Sequence, residues 1–386
     1  MTEDDLDKSP TGFSVVVPTR GRVVLVGKLL KSLHNARDQY PGEVEILIVD
    51  DSTEPDHQTI KQLCADWGDI YIAGGSSVRA KRNLGVEQAS HKIILFVDSD
   101  CEVQPDIFIE HARCYQEHPP AGLIGGGVGI TEFIGKDCWM WEVIEHTQFL
   151  NAFSFAKRMQ YAPWATCSNT SFLREAFIKV GGFDTEFPFR LGGDDVDLGI
   201  RMNQADFLLK CNPAAIVTHT RATWLKFFDI SRRAFRWGGM DVHLYFRKHN
   251  SFTTVGMPKF GHIFLLLIAA AIFGAIIFQS GWLMLLPLVW SVLALFIRAV
   301  FTVLWAKKEW RFVPIEFTAD LLGLFFEAGF FWEGFKYRVP AILWRTVRRG
   351  PMLPIFEQVE EIILSWGMWL SALIVFCLFW ILIAGK

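Results

Sequence analysis

Residues 93–97, with the sequence Ile-Ile-Leu-Phe-Val, run directly into Asp98-Ser99-Asp100. Five consecutive apolar residues are typical of a strand that is buried on both faces. The chain leaves the sheet at the polar triplet, so two carboxylates stand one residue apart at the end of the strand. Their oxygens suit Mg²⁺ or Mn²⁺, although an isolated pair of this kind is more often a turn or a helix cap.

The segments before this strand repeat its pattern. Short apolar runs alternate with stretches of helical spacing, as in a βαβ unit. The apolar runs are 13–17, 44–49 and 69–73, and the helical stretches include 23–36 and 78–89. This order predicts a parallel sheet with helices on both faces, an α/β fold whose ligands bind beyond the carboxyl ends of the strands.

Charged residues gather where that edge of the sheet is expected. Asp50-Asp51 ends the second apolar run, and a basic run follows at Arg79, Lys81 and Arg82. Cations can pair with a phosphate that a metal ion also holds. The sequence therefore predicts a crevice that binds a diphosphate together with a divalent cation.

A second acidic cluster, Asp194-Asp195-Val196-Asp197, opens a stretch of helical spacing. Crowded carboxylates raise the pKa of one of them toward the range of a general base. Helix N-capping is the competing explanation for Asp194 and Asp195, and for Asp197 it is the one we favour.

The composition divides the 386-residue chain into two halves. The whole chain is 51% hydrophobic with a net charge of −3, so its charge does not indicate a nucleic-acid partner. Residues 1–220 hold 20 Lys and Arg against 31 Asp and Glu, whereas residues 221–386 hold 18 against 10. An acidic first half joined to a basic, apolar second half predicts a soluble head on a membrane-attached tail.

The seven cysteines include no Cys-x-x-Cys pair, which argues against both a disulfide framework and a zinc site. Residues 1–11 are acidic and polar, are expected to form a flexible tail, and contain no apolar signal segment. We therefore expect the first half of the chain to stay in the cytosol, which is a reducing compartment.

From residue 223 the pattern predicts membrane-associated helices. On a helical wheel of Trp224–Trp237, the apolar residues, Phe228 among them, share one broad arc, and the basic residues share the opposite arc. Such a helix suits a lipid headgroup layer, with a surface helix packed on the head domain as the alternative.

Three apolar stretches, about 260–279, 282–306 and 362–385, are long enough to cross a hydrocarbon core of about 30 Å. The first two are expected to form a tight helical hairpin. The stretch 313–335 carries Glu316, Asp320 and Glu327 among its aromatic residues. It therefore predicts an interfacial or re-entrant element, with a fourth span as the alternative.

A series of motifs resembles those of family 2 glycosyltransferases, inverting enzymes with the nucleotide-sugar-binding fold called GT-A. In order, the motifs are Val15–Arg20, Ile48–Ser52, Arg79–Gly85, Asp98–Asp100, Cys167–Thr170, Gly181–Asp184 and Gly193–Leu198. The resemblance covers about residues 13–220. It implies a Rossmann-like mixed sheet for the head domain, which we bound at 12–222.

The resemblance also implies a role for each matching residue. Asp195 corresponds to the catalytic base, and Asp194 to a carboxylate that orients the acceptor or the donor sugar. Asp100 is expected to ligate a divalent metal, Mg²⁺ or Mn²⁺, with Asp98 beside the metal and the donor sugar and with His219 completing the metal shell. The residues expected to contact the rest of the donor are Pro18, Arg20, Asp51, Arg79, Arg82 and Asn169.

A departure from the family concerns Arg20-Gly21, where many relatives have an aromatic residue and Asn. An arginine would then have to replace the aromatic residue in stacking on the nucleoside.

The segment Arg233-Ala234-Phe235-Arg236-Trp237 is similar to the (Q/R)xxRW motif of membrane synthases of polysaccharides and glycolipids. The resemblance implies that Arg233, Arg236 and Trp237 close over the donor and acceptor at the membrane surface. Binding of anionic lipid by the two arginines is the alternative. The predicted regions after the head are thus an interfacial helix within 223–250 and a membrane domain at 260–386.

Together these features predict an integral membrane glycosyltransferase with a cytoplasmic catalytic domain, in an inner or plasma membrane. It would move a sugar from a nucleoside-diphosphate sugar, with UDP the nucleotide most typical of the family, to a membrane lipid at the inner leaflet. The second interpretation is a polysaccharide synthase that extends a glycan chain. The third is a non-catalytic membrane scaffold that binds sugar nucleotides.

Overall fold

The computed structural model describes residues 12–116, 122–186, 192–249 and 260–347, together with a few isolated positions. The chain forms two compact units. The first contains the chain up to Lys136, Leu150–Phe189 and Asp194–Ala222, and the second contains Asp137–Phe149, Arg190–Gly193 and the chain from Thr223 onward. The predicted tail 1–11 and, apart from four positions, the predicted span 362–385 lie outside the described residues.

In the described part of the first unit, nine strands form one mixed sheet. They are β1 (Phe13–Thr19), β2 (Val44–Asp50), β3 (Ile70–Ala73), β4 (Ile93–Phe96), β5 (Cys101–Val103), β6 (Leu123–Ile134), β7 (Tyr161–Ala162), β8 (Thr170–Leu173) and β9 (Phe207–Thr220). The order is β3-β2-β1-β4-β8-β6-β9-β5, with β7 paired to β9. The four strands that precede Asp98 are parallel, as the βαβ pattern predicts. β8 is antiparallel to both β4 and β6, which makes the sheet mixed.

Helices cover both faces of this sheet. The helices of the first unit are α1 (Val23–Arg37), α2 (Asp56–Trp67), α3 (Val78–Gln88), α4 (Ile107–Cys114), α6 (Arg174–Lys179) and α7 (Asp194–Gln204). β1 is buried along its whole length because its side chains alternate between two apolar clusters. Val15 and Val17 belong to one cluster with Leu29, and Val16 belongs to the other with Phe96.

The second unit is mainly helical. Its elements are α5 (Trp139–Glu145), α8 (Phe227–Asp241), a π-helix at Val242–Lys248, α9 (Phe260–Phe278), α10 (Leu286–Trp305), α11 (Val313–Lys336), and the antiparallel strands β10 (Thr253–Val255) and β11 (Arg345–Val347). α8 and α11 pack closely at two glycines. A Cβ on Gly238 would stand 1.7 Å from the Phe326 carbonyl oxygen, and one on Gly329 would stand 1.8 Å from that of Phe235.

α8 confirms the expected helix but not the expected position of Phe228. Its buried stripe runs through Ile230, Ala234 and Gly238, whereas the Phe228 side chain is 79% exposed. Two residues correspond to about 200° of rotation around a helix, so Phe228 points away from Ile230 and lies on the same stripe as the exposed Arg232. The apolar arc predicted from the helical wheel therefore included Phe228, which lies outside the buried stripe of α8.

Two helices in the described residues are long and apolar enough to cross a membrane, Phe260–Phe278 and Gly281–Trp305. They coincide with the first two stretches predicted from the sequence. The third helical stretch, α11, is one continuous helix of 24 residues, without the internal turn that a re-entrant element needs. Its interfacial position stays a prediction.

Candidate active site

The acidic clusters at Asp50-Asp51 and Asp98 lie at the carboxyl ends of two parallel strands that flank β1. β1 lies between β2 and β4, and Thr19 at its end pairs with Asp50 at the end of β2. Asp51 and Asp98 follow the ends of the two outer strands. Since neighbouring parallel strands end at one edge of a sheet, both turns open on the same side.

A buried lysine holds the Asp51 carboxylate. Lys81 Nζ lies 2.5 Å from Asp51 Oδ1 and donates to the Thr19 carbonyl oxygen at 2.6 Å. Lys81 is 3% exposed, whereas Asp51 is partly exposed and can still offer an oxygen to a ligand. The sequence assigned Lys81 to the basic run expected to pair with phosphate, but gave it no individual role. Its contacts with the Thr19 carbonyl oxygen of β1 and with Asp51 become evident only in the fold.

Arg82 joins the two acidic clusters. Its Nη2 donates to Asp98 Oδ1 at 2.9 Å, and its Nη1 donates to Asp194 Oδ2 at 3.2 Å. The guanidinium is buried and lies 5.4 Å from the centre of the Phe183 ring. Of the three residues only Arg82 is buried, and its two partly exposed carboxylate partners compensate its charge inside the protein. The end of β4 and the start of α7 are thereby fixed together.

Asp195 lies beside this ion-pair cluster, in the first turn of α7. Its Oδ1 accepts a hydrogen bond from the Val196 backbone N–H at 2.9 Å. Burial and the negative charge of Asp194 raise the pKa of Asp195 to about 7, although the positive charge of Arg82 opposes them. A carboxylate with such a pKa can accept and release a proton near neutral pH.

Asp100 and His219 meet where β5 pairs with β9. Asp100 Oδ1 lies 3.3 Å from His219 Nε2. The other ring nitrogen, Nδ1, lies 2.7 Å from the Thr220 carbonyl oxygen, which only accepts, so Nδ1 can donate to that oxygen while Nε2 faces the carboxylate. One carboxylate and one imidazole nitrogen fit Mn²⁺ or Mg²⁺ with other ligands from the donor.

Two further residues, Cys101 and Arg22, lie close to Asp100 and His219. The Cys101 sulfur lies within 4.8 Å of the ligating atoms of Asp100 and His219. Burial, together with Asp98 and Asp100, raises the pKa of the Cys101 thiol well above its usual value, so the thiol is a weak ligand. Arg22, which the sequence analysis did not single out, places Nη1 2.6 Å from Asp100 Oδ2.

The remaining residues that were predicted to contact the donor differ in their exposure and in their protein partners. Pro18 is buried in β1, Arg20 is exposed in the turn after it, and Arg79 donates to the Asp184 carbonyl oxygen at 3.3 Å. Asp98, also predicted beside the metal, pairs with Arg82 through Oδ1 and remains partly exposed, so its place beside a metal stays a prediction.

Asn169 is not available to a ligand. It is 1% exposed, its amide donates to the carbonyl oxygens of Ile130 and Ala215, and its Oδ1 lies 2.9 Å from His111 Nε2. The expected contact of Asn169 with the donor is therefore corrected to a structural role inside the sheet.

The predicted acceptor residues lie on α8 in the second unit. The Arg233 guanidinium lies 4.2 Å from the centre of the Trp224 ring and 6.0 Å from that of Trp237. Trp237 also packs edge-on against Phe149 at 5.3 Å. Arg236 is exposed. Arg233 and Trp237 therefore belong to one aromatic cluster, and Arg236 is exposed enough to meet a ligand or a headgroup.

Comparisons with known proteins indicate the family and the fold of the first unit. Residues 14–181 match the family model described as Glycosyl transferase family 2. The chain is 25% identical over 222 residues to the O-antigen biosynthesis protein RfbC of Myxococcus xanthus. The aligned region covers 53% of this chain and 17% of that protein. It is 25% identical over 145 residues to the glucosyl-dolichyl phosphate glucuronosyltransferase of Haloferax volcanii, which covers 37% of this chain and 46% of that protein.

A solved structure has a similar fold. The mannosyltransferase PcManGT from Pyrobaculum calidifontis, in complex with GDP-Man and Mn²⁺, superposes with a TM-score of 0.53 at 14% identity, covering 84% of this chain and 88% of that chain. The chain spans less than half the length of either curated relative. On the family match, the motif order and the mixed sheet, residues 14–181 form a family 2 glycosyltransferase domain with a GT-A-like fold.

Proposed function

We propose that this protein is an inverting glycosyltransferase that moves a sugar from a nucleoside-diphosphate sugar to a membrane lipid. Asp195 carries the proposal, because its pKa of about 7 suits a general base at neutral pH. It is adjacent in sequence to Asp194. Arg82 donates hydrogen bonds to both Asp194 and Asp98, and Asp98 follows the carboxyl end of β4. The family 2 domain supports the reaction class.

In the proposed reaction Asp195 accepts the proton of the acceptor hydroxyl. The hydroxyl oxygen attacks the anomeric carbon from the side opposite the leaving diphosphate, so the configuration inverts in a single displacement. A single displacement requires no carboxylate nucleophile.

The donor is proposed to bind along the edge of the sheet, with UDP as its nucleotide. Asp51, fixed by Lys81, accepts a hydrogen bond from an N–H of the base. Asp98 binds a hydroxyl of the ribose or the donor sugar. A divalent cation held by Asp100 and His219 would neutralise charge on the leaving diphosphate.

A membrane lipid at the inner leaflet is the proposed acceptor, with the catalytic domain in the cytoplasm. Two helices of spanning length, α9 and α10, support a membrane location. The Haloferax relative is named for a lipid-linked substrate, glucosyl-dolichyl phosphate. The exposed stripe of α8, with Phe228 and Arg232, suits a headgroup layer.

Extension of a polysaccharide is the second candidate, and the RxxRW segment of α8 is the observation that favours it. Polysaccharide synthases usually have more spans than the two that the described residues provide. A scaffold without turnover is disfavoured, because binding alone needs no carboxylate with the pKa of Asp195.

Product chemistry tests the proposal. Membranes that contain the protein are incubated with a panel of radiolabelled UDP- and GDP-sugars and with lipids extracted from the host. We expect label in an organic-solvent extract. Asp195→Asn is expected to lower transfer by about 10²- to 10⁴-fold while leaving UDP binding intact, since Asn keeps the shape but accepts no proton.

The outcomes are separable. Label that precipitates in ethanol as a polymer would replace the lipid acceptor with a glycan. Donor binding without transfer in the wild type would favour the scaffold, and full activity of Asp195→Asn would remove the base assignment.

A further inference from the structure

The contact between Arg22 and Asp100 has no part in the reaction proposed above. Arg22 Nη1 lies 2.6 Å from Asp100 Oδ2, a distance typical of a strong charge-assisted hydrogen bond. The Asp100 side chain is only 6% exposed, whereas that of Arg22 is 45% exposed. A buried carboxylate needs a cationic partner, and here an arginine reaches in from the surface to provide one.

Arg22 takes this position against its local preferences. Its φ of 61° and ψ of 33° are left-handed, a conformation that costs free energy for any residue with a Cβ. It also caps the N-terminus of α1, where the helix dipole disfavours a positive charge. Both costs persist in the fold, so another interaction must offset them, and the ion pair with Asp100 is the one that the structure provides.

The same carboxylate is the central ligand of the proposed metal site. Asp100 Oδ2 is occupied by Arg22, and Oδ1 faces His219 Nε2 at 3.3 Å. A divalent cation bound by Asp100 and His219 would lie within a few ångströms of the guanidinium. Two positive charges at that separation repel each other strongly in a partly buried site.

We propose that Arg22 is a built-in competitor of the divalent cation, which keeps Asp100 paired until the metal ion displaces the guanidinium. This inference rests on the metal site of the proposed function. The exposure of Arg22 gives the displaced side chain a path into solvent. Thr19 and Ser52 hold the preceding Gly21 through hydrogen bonds, so the guanidinium can leave while the backbone stays in place.

The competition makes metal affinity the decisive measurement, with Mn²⁺ alone as the probe. The full chain is purified in detergent, stripped with EDTA and titrated with Mn²⁺ while the free ion is followed by electron paramagnetic resonance. Arg22→Gln is expected to bind Mn²⁺ about tenfold more tightly than the wild type, and Arg22→Lys, which keeps the charge, to stay near the wild type.

Two further variants serve as controls. Lys28 lines a cavity of about 230 Å³ together with Asp100, so Lys28→Gln removes a nearby positive charge that is not the partner of Asp100. It is expected to change Mn²⁺ affinity by about twofold at most. Arg22→Gly removes the guanidinium and also fits the left-handed backbone, so it is expected to fold even if Arg22→Gln does not.

Thermal unfolding gives an independent readout. Without metal, Arg22→Gln should melt at a lower temperature than the wild type, because Asp100 loses its partner. Saturating Mn²⁺ should then raise its melting temperature by more than it raises that of the wild type, since the ion binds the folded variant more tightly.

The failures of the two proposals differ. Equal Mn²⁺ affinity in the wild type, Arg22→Gln and Arg22→Gly, with binding abolished by Asp100→Asn, would overturn the competition and leave the metal site intact. Absence of Mn²⁺ binding in the wild type, Arg22→Gln and Arg22→Gly alike, or binding that Asp100→Asn does not change, would remove the metal site and the competition together.

Discussion

Arg82 connects residues that the sequence keeps far apart. One guanidinium bonds to both Asp98 and Asp194. Asp195 lies close enough to this cluster for the charges of Asp194 and Arg82 to act on it together. Its pKa is therefore set by burial and by these two neighbouring side chains, with backbone hydrogen bonds opposing the increase.

The pH dependence of transfer should report this environment. With a pKa of about 7, Asp195 is mostly protonated at pH 6 and unable to accept a proton, so kcat/KM should fall to about a tenth of its plateau there. Activity should rise through pH 7 and level off above pH 8. Asp194→Asn removes the neighbouring negative charge, so its residual activity should reach the plateau at lower pH.

A pH profile of kcat/KM, measured at lipid-acceptor concentrations below KM, checks this. A flat profile between pH 5.5 and 8.5 would contradict the assignment of the base, and an unchanged midpoint in Asp194→Asn would contradict the coupling between the two carboxylates.

Residue positions were predictable where a motif and a strand end coincide. Asp51 and Asp98 follow apolar runs, and local pattern alone places them at one edge of the sheet. Asn169 was assigned wrongly because its motif does not reveal that His111 and two carbonyl oxygens surround it. Arg22 was missed, since nothing in the sequence indicates a left-handed arginine aimed at Asp100.

At the scale of elements, the crossing of α8 and α11 depends on two glycines. Each takes the place of a side chain that would overlap a carbonyl oxygen of the other helix. Gly329→Ala should therefore destabilise the protein by about 1–3 kcal/mol through overpacking. Gly323 lies in the same helix with nothing within 4 Å of a Cβ, so Gly323→Ala should be neutral or stabilise by up to ~1 kcal/mol.

The paired alanines are compared by intrinsic fluorescence during heating in one detergent. A similar melting temperature for Gly329→Ala and Gly323→Ala would show that the helices separate easily and that the close approach contributes little.

Elements differ in how far local pattern determines them. Strands such as β1 were predictable because burial on both faces of the sheet leaves near-continuous apolar runs. The apolar face of α8 was predicted only in part. The wheel spread it over a broad arc, whereas the glycine contact with α11 narrows it to the stripe through Ile230 and Ala234.

At the scale of the whole chain, the proposed orientation puts the connection between α9 and α10 outside the cell. In a Cys377→Ser background, Gly281→Cys should react with a membrane-impermeant thiol reagent in intact cells. Glu309→Cys, beyond the other end of α10, should react only after permeabilisation, because the proposed orientation puts it on the cytoplasmic side of the membrane. Both positions are exposed on the protein, so a difference in labelling reports the membrane side and not burial.

The reversed pattern would put the catalytic domain outside, where cytosolic sugar nucleotides are absent. Equal labelling of both cysteines in intact cells would contradict a span at α10.

The bond from Arg82 to Asp194 closes a loop of 112 positions, and the family match itself ends at residue 181. During translation, a nascent chain that has emerged only to residue 181 carries every strand-end carboxylate but neither Asp194 nor the base. Under the proposed mechanism, such a chain cannot yet transfer sugar. Transfer becomes possible only after α7 has left the exit tunnel, so the proposed base arrives while the helical second unit is still being synthesised.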